Sequence, residues 1–528
     1  MNHQDRAAEA EPITGADSLL ATLEANGVEV CFANPGTSEM HFVSALDRAE
    51  KIRGVLGLFE GVVTGAADGY ARMTGTPAAT LLHLGPGLAN GLSNLHNALR
   101  AQSPIVNIIG DHATYHRNLD APLTSDIEGA ARPFSHWVRT TATADTVGQD
   151  TAESVRVARE GKVASLILPA DCAWTETDPT APHTVQAGPS TAGPAVDPSA
   201  VEAAARTLRS SGSRTAILLG TNSVSAESLA LADAIAEATG ARVLLNTFMS
   251  VIPRGAGRHA GTAIPYPIEL SQQLLADFEN IILLGAEPPV AFFAYPDRPS
   301  RLCAPGTRFI TLAEGFGRVV EALGALRDTL GEIPATPPLQ LQLPSLPSGT
   351  ITAEKLGAFL GHSIPEQAII VDESITTGRG FISATQRARP HDWIKGTGGS
   401  IGYGMAASVG AALACPDRPV ITLEADGSGM YMPQALWSQA REELNVTTLI
   451  FANRKYQILR NEMTNVGVPD FGPKAESLMD LHNPAIDWVR LAESMGVPAR
   501  QVTTVEQLTE AFDAAQNASG PHLIEIVL

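Results

Sequence analysis

The residues best suited to chemistry lie in the last third of the chain. Val420 to Glu424 is a largely apolar run that opens into Ala425-Asp426-Gly427-Ser428-Gly429, and a second run, Thr447 to Ala452, opens into Asn453-Arg454-Lys455-Tyr456. Read as neighbouring parallel strands joined by a helix over 433–444, the two runs bring an aspartate and an asparagine to one end of a sheet. Oxygen donors so placed suit a hard cation such as magnesium, which takes octahedral oxygen sets and usually shares them with a diphosphate. Gly427 and Gly429 let the backbone approach phosphate, and Ser428 offers a hydroxyl. The same residues also fit an acidic turn capping a helix, with Asn453 in an ordinary loop.

Three further groups stand out. Gly396-Thr397-Gly398-Gly399-Ser400-Ile401-Gly402-Tyr403-Gly404 opens a helical stretch, Met405–Ala414, and makes a plausible phosphate- or ring-binding turn. It is not a dinucleotide fingerprint, because Ile401 stands where the third glycine is due and His391–Lys395 reads as a poor strand. Glu60 follows the apolar run Val55–Phe59; a carboxylate among apolar neighbours can hold a proton for a ligand base, or simply favour a helix first turn. His83 sits in Leu81-Leu82-His83-Leu84 at the end of a strand-like run, placed for catalysis or as a satisfied core histidine. His112 and His116 flank the loop after Asp111 and are weaker candidates.

The elements that must position these groups follow from pattern. Short Val/Ile/Leu runs alternate with helical stretches: Ala78–Leu84, Ile105–Gly110 and Ala164–Pro169; Arg214–Thr221, Ala241–Phe248, Asn280–Ala286 and Thr307–Ala313; Ala368–Asp372, Pro419–Glu424, Thr447–Ala452 and His522–Leu528. Such runs predict α/β architecture with parallel sheets covered by helices, and ligands beyond the strands' carboxyl ends. Proline-rich stretches at 173–199 (Pro179, Pro182, Pro189, Pro194, Pro198) and 334–349 (Pro337, Pro338, Pro344, Pro347) read as connectors. They divide the chain into three expected domains, 12–175, 198–333 and 350–528, in keeping with 528 residues at roughly 100–200 per domain.

Composition excludes other classes. A net charge of −20 argues against a phosphate-backbone partner, so no nucleic acid is expected. The four cysteines form no CxxC pair, which speaks against a zinc cage or disulfide framework. There is no signal-peptide pattern in the first eighteen residues and no apolar run long enough to span a bilayer, so a cytoplasmic protein without a membrane partner is expected.

Together these residues resemble the thiamine-diphosphate enzymes of the acetolactate synthase and benzoylformate decarboxylase group, over nearly the whole chain. The family's Gly-Asp-Gly and paired-asparagine motif is matched by Asp426, Gly427, Ser428 and Asn453, with Ala425 and Ala452 replacing the first glycine and first asparagine. The resemblance implies thiamine diphosphate and Mg2+ as cofactors. It implies Asp426, Asn453 and the Lys455 carbonyl as metal ligands, with Thr376 and Tyr456 among the cofactor contacts. Ile401 would hold the cofactor bent, and the Gly399 carbonyl would accept from its 4′-amino group. Glu60 would exchange a proton with the pyrimidine N1′. Asn34–Glu39 resembles a loop that brings a hydroxyl to substrate, with Thr37 in the serine's place, and His83 falls on a histidine of benzoylformate decarboxylases.

The implied substrate is a small 2-oxo acid, and the implied assembly a homodimer or homotetramer with active sites at subunit interfaces. The product, an aldehyde or a 2-hydroxy ketone, stays open. So do the readings as an acetolactate synthase-like decarboxylase or carboligase, a benzoylformate decarboxylase, a 2-hydroxy-ketone lyase, or a non-catalytic cofactor-binding paralogue. Glu287–Phe293 and Ile458–Met463 lack the synthase pattern, so FAD is not expected, and no second decarboxylase histidine is evident near Phe293-Ala294-Tyr295.

Overall fold

The computed structural model describes residues 13–177, 182–185 and 193–528. Pro12, at the start of the first expected domain, and Pro179 and Pro189 of the first connector lie outside the described residues. The chain forms two compact units, divided between Pro189 and Ser190.

The first unit is built on a six-stranded parallel sheet in the order Arg53–Leu56, Val30–Asn34, Ala78–Leu82, Ile105–Asp111, Val163–Pro169, Trp137–Thr140. Strands such as Ala78–Leu82 and Val163–Pro169 are buried along their whole length, which is why they read as continuous apolar runs. Leu19, Leu20 and Leu23 of helix Gly15–Ala25 and Val147 and Val155 of helix Val147–Ala158 pack on Leu81, Val106, Ile108 and Leu166. Helices Glu60–Thr74 and Leu84–Ala101 pack against each other and against the sheet. From Val30–Asn34 the chain steps to one side, to Arg53–Leu56, then crosses to Ala78–Leu82 on the other. That reversal opens a crevice at the carboxyl ends of Val30–Asn34 and Ala78–Leu82, where ligands of open parallel sheets bind.

The second unit holds two sheets. A five-stranded parallel sheet runs Thr262–Ala263, Arg242–Leu245, Thr215–Leu219, Asn280–Leu284, Arg308–Ala313. A seven-stranded sheet runs Val251–Arg254, His391–Lys395, Ala368–Glu373, Val420–Ala425, Val446–Ala452, His522–Val527, Ala499–Val502, all parallel except the first strand. The same reversal of order occurs between Ala368–Glu373 and Val420–Ala425. Val251–Arg254 comes from the middle of the chain and pairs antiparallel with His391–Lys395. One apolar core, from Val201 to Ile526, runs through both sheets. The two sheets therefore share a unit even though a proline-rich connector separates most of their residues in sequence.

Two sequence readings are corrected. His391–Lys395 is an interior strand: Trp393 is fully buried, and the polar residues beside it are paired, Asp392 with Arg418 at 2.7 Å and Lys395 with Asp372 at 3.7 Å. Tertiary partners here override a weak local pattern. His83 lies just beyond its strand, as the N-cap residue of helix Leu84–Ala101.

Non-glycine residues with left-handed backbones stand just past three strand ends: Leu84 (φ 44°) after Ala78–Leu82, Ile375 (φ 50°) after Ala368–Glu373, and Arg454 (φ 56°) after Val446–Ala452. For a β-branched residue such as Ile375 that conformation is costly and marks a place where the surroundings dictate the backbone.

Candidate functional site

In the first unit the switch-point crevice gathers one carboxylate–imidazole pair. The turn Thr37–Glu39 follows strand Val30–Asn34 and sends the Glu39 side chain inward, where it is buried. Glu39 Oε2 accepts from the Gly36 amide at 2.8 Å and lies 2.8 Å from His83 Nδ1; its Oε1 accepts from Ser38 Oγ at 2.8 Å. A carboxylate can only accept, so Nδ1 carries the ring proton and Nε2 is left for hydrogen-bond or acid–base work. A side chain at Gly36 would overlap the His83 ring, and one at Gly110 would overlap the Glu39 carboxylate.

Glu60 is the first residue of helix Glu60–Thr74, at the positive end of its dipole, and is buried. Its Oε2 accepts from Asn90 Nδ2 at 3.0 Å. Gly87 lies between Glu60 and His83: a Cβ there would be 3.2 Å from Glu60 Oε1 and 3.2 Å from His83 Cβ. The two residues are thus brought together on either side of a glycine. Thr37 is exposed in the same turn, and the hydroxyl that approaches His83 is that of Ser38, 3.4 Å from Nδ1. His112 and His116 pack with tilted rings, centroids 5.3 Å apart, in the loop after strand Ile105–Asp111. Glu39 is not among the residues the sequence singles out, and its signal there is a carboxylate one turn beyond a buried strand.

In the second unit Asp426 heads a single helical turn, Asp426–Gly429, directly after strand Val420–Ala425. Its Oδ2 accepts from the Arg454 amide at 2.6 Å and its Oδ1 from the Gly427 amide at 2.9 Å. The aspartate turn and the turn 453–455 are therefore tied at the ends of adjacent strands, and the left-handed Arg454 backbone aims the amide. Asn453 Oδ1 accepts from the Lys455 amide at 3.1 Å. Burial pushes the Asp426 carboxyl up to about 6, against the opposing effect of those amides. The Tyr456 ring fills the space a side chain at Gly427 would need, so these two candidates touch. Ser428 turns its hydroxyl inward, to the Glu424 carboxyl. Thr376 is half-buried before the short turn Thr377–Gly380.

The donors at this place are one carboxylate, one side-chain amide and one backbone carbonyl. Among the described residues no three His, Cys, Asp or Glu side chains gather to hold a metal. An all-oxygen set with a single charge fits a hard cation completed by diphosphate oxygens.

The glycine turn is held in a shape few residues adopt. Gly399 (φ 73°) and Gly402 (φ 94°) flank Ile401, and a Cβ on Gly399 would lie 2.6 Å from Phe292 Cζ. Phe292 belongs to a ring cluster with Phe248, Tyr266 and Phe293, centroids 4.7–6.4 Å apart. Close by in the fold, a cleft of about 340 Å³ is lined by Tyr266, Tyr295, Arg298, Arg379 and Glu462. Tyr295 donates to Glu462 at 2.6 Å, while Arg460 turns to Glu476.

Two carboxyls unremarked in the sequence sit at the switch point of the seven-stranded sheet. Glu373 and Glu424 are direct partners in the parallel register and both are buried. Burial pushes Glu373 up to about 7, and burial together with its neighbour pushes Glu424 well above the usual carboxylate range. Their signal was an acidic residue closing each of the apolar runs AIIVDE and VITLEA.

Residues 13–131 match the family model described as the thiamine pyrophosphate enzyme N-terminal TPP binding domain, and residues 378–526 the C-terminal TPP binding domain. A Mycobacterium tuberculosis protein named "Putative acetolactate synthase large subunit IlvX" is 49% identical over 518 residues, 98% of this chain and 99% of that one. Benzoylformate decarboxylase of Pseudomonas aeruginosa is 29% identical over 525 residues, 96% of this chain and 97% of its own. A solved thiamine diphosphate-dependent 4-hydroxybenzoylformate decarboxylase from Rhodococcus jostii RHA1 superposes with a TM-score of 0.82 at 26% identity, over 97% of this chain and 98% of that one. Among the described residues no helix is long and apolar enough to cross a membrane. The chain belongs to the thiamine pyrophosphate enzymes and is an enzyme of the acetolactate synthase and benzoylformate decarboxylase type.

Proposed function

We propose that the chain is a magnesium- and thiamine-diphosphate-dependent decarboxylase or carboligase acting on a small 2-oxo acid, in the manner of an acetolactate synthase. Thiamine diphosphate, when bound, supplies the electron sink that lets carbon dioxide leave a 2-oxo acid. Asp426, Asn453 and the Lys455 carbonyl would hold the magnesium ion. Gly427, Ser428, Thr376 and Tyr456 would line the diphosphate, and Gly399 and Ile401 would set the bend. Glu60 would hold and return a proton at the pyrimidine N1′, buried from water and steadied by Asn90. His83, oriented by Glu39, would present Nε2 to the substrate, with Thr37 in the same turn as a further polar contact.

The reading extends to organisation. Domains over 12–175, 198–333 and 350–528 would assemble as a homodimer or homotetramer, with Glu60 from one subunit serving the Asp426 turn of another. The observation that carries the proposal is the joining of Asp426 to the turn 453–455 at the ends of neighbouring parallel strands.

A second reading, a donor with an aryl side chain, is favoured by the ring cluster of Phe248, Tyr266, Phe292 and Phe293 against Gly399. Carbon dioxide release from pyruvate and from benzoylformate, with thiamine diphosphate and magnesium added and products identified, separates the two. Pyruvate turnover to a 2-hydroxy ketone supports the first reading and benzoylformate turnover to an aldehyde the second. Bound cofactor with neither turned over refutes both substrate assignments.

A further inference from the structure

The cleft of about 340 Å³ beside the ring cluster is joined to each turn of the candidate cofactor site in the second unit. Arg379 lines it from the turn Thr377–Gly380, directly after Thr376. Glu462 lines it from helix Gln457–Asn465, directly after Tyr456, whose ring lies against Gly427. Tyr266 lines it with its ring centroid 5.6 Å from that of Phe292, which lies against Gly399. Its volume is that of a small-molecule site.

The charged groups in the cleft differ in what they already bond. Arg298 is met by Glu269 at 2.8 Å and lies over the Tyr295 ring, 5.5 Å from its centroid. Among the described residues Arg379 has no hydrogen bond or ion pair, and Glu462 has no cationic partner. Glu462 accepts from neutral donors, Tyr295 Oη at 2.6 Å and Asn465 Nδ2 at 3.3 Å, which hold its carboxylate in place. One uncommitted guanidinium and one carboxylate with acceptor sites to spare therefore line the same space. An apolar substrate arm would cover both and strand two charged groups that water now satisfies. A second carboxylate would gain Arg379 but be repelled by Glu462, so the two effects offset each other. A hydroxyl both donates and accepts, so an arm carrying two of them serves Glu462 and Arg379 together.

We propose that this cleft takes the side chain of the substrate 2-oxo acid and selects one that bears vicinal hydroxyls, with Arg379 and Glu462 setting the choice. Arg379 donates to a hydroxyl oxygen, and Glu462 accepts from a hydroxyl hydrogen. The inference names the substrate class of the function proposed above and rests on that reading.

The test compares acids of equal chain length. The full-length chain, with thiamine diphosphate and magnesium, would be given 4,5-dihydroxy-2-oxopentanoate, 2-oxopentanoate and 2-oxoglutarate, and kcat/KM for carbon dioxide release measured for each. Arg379→Met and Glu462→Ala would be measured in the same way. Helix Gln457–Asn465 contains no buried residue and Arg379 is exposed, so both variants should fold.

The dihydroxy acid should be preferred to 2-oxopentanoate by about a hundredfold, on the order of tenfold for each hydrogen bond to a charged group. Each variant should lower that ratio by about tenfold. A ratio near one, a faster reaction with 2-oxoglutarate, or a ratio that either variant leaves unchanged would overturn the proposal. If none of the three acids is turned over, calorimetric binding of the dihydroxy acid to the cofactor-loaded chain separates the two ideas. Binding that both variants weaken by about tenfold would keep the selectivity of the cleft and refute the decarboxylase reading. No binding, or binding that either variant leaves unchanged, would overturn the selectivity itself.

Discussion

Replacing Glu39 tests the first unit most directly, because one carboxylate there serves three donors. Gly36 N, His83 Nδ1 and Ser38 Oγ each lie 2.8 Å from it, and Glu39 is only 3% exposed. Glu39→Ala leaves the Gly36 amide and the His83 ring without an acceptor, while the Ser38 hydroxyl rotates to find another. At about 1.5 kcal/mol for each of the two stranded donors, the variant should lose about 3 kcal/mol. Glu39→Gln places its oxygen where Oε2 was and its amide toward Ser38, whose hydroxyl can turn to accept. It should lose about 1 kcal/mol, the charge assistance alone. For a unit of this size, 1 kcal/mol corresponds to about 2–4 °C in melting temperature, so shifts of about 6–12 °C and 2–4 °C are expected.

Differential scanning calorimetry measures both, and 2-oxo acid turnover in the same samples reports on His83. Glu39→Gln should be slower than the unaltered chain despite its near-native melting, because a neutral acceptor holds the Nδ1–H tautomer less firmly. A Glu39→Gln variant that melts as low as Glu39→Ala would refute the assignment of acceptors. Full turnover in Glu39→Ala would refute the orienting role.

Three other outcomes are expected. Glu60→Gln should abolish turnover while magnesium-dependent cofactor binding stays nearly intact; undiminished activity would remove the proton role. Asp426→Ala, or chelation of magnesium in the unaltered chain, should cost most of the cofactor affinity, and equal calorimetric binding before and after would disprove the metal assignment. His391 gives a pH signature. Burial lowers its ionisation to about 4 from an ordinary 6.5, with Arg254 and Arg258 adding to that and the Arg389 carbonyl and Asp392 opposing it. A depressed value means the unfolded chain takes up the proton first, so stability falls as pH drops below 6.5 toward 4. At pH 5 that amounts to about 2 kcal/mol. Urea unfolding at pH 7 and pH 5 should show this loss in the unaltered chain and not in His391→Asn; parallel pH profiles would sink the claim.

Every apolar run read as a strand is one; strands such as Ala78–Leu82 and Val163–Pro169, buried on both faces, leave no alternation to misread, although Arg308–Ala313, at a sheet edge, is largely exposed. The pattern missed Val30–Asn34, Arg53–Leu56, Trp137–Thr140 and Ala499–Val502, each only four or five residues long, and two further strands whose burial is completed by distant partners. Val251–Arg254 is short and contains Pro253, and His391–Lys395 carries charge that only Arg418 and Asp372 neutralise. The site was legible where chemistry and spacing coincide, as at Asp426 and Asn453. It was illegible at Glu39, Glu373 and Glu424, since nothing local tells whether a carboxylate after a buried strand points to water or inward. Topology decides that: Glu373 and Glu424 lie on the two strands between which the order of the seven-stranded sheet reverses, and Glu39 follows Val30–Asn34 at the reversal in the six-stranded one.

Val251–Arg254 bears on how the chain can be cut. It covers the flank of His391–Lys395 and is itself the outermost strand, with Pro253 withholding one backbone donor from any further neighbour. Cleavage at the proline-rich stretch 334–349 would strip that cover from a fragment beginning near residue 350 and bare a ladder of amides and carbonyls beside Trp393. Such a fragment should self-associate or aggregate, whereas one beginning near residue 193 keeps its border sealed. The stretch that looks like the natural place to divide the chain is therefore the wrong one for anyone seeking a soluble half.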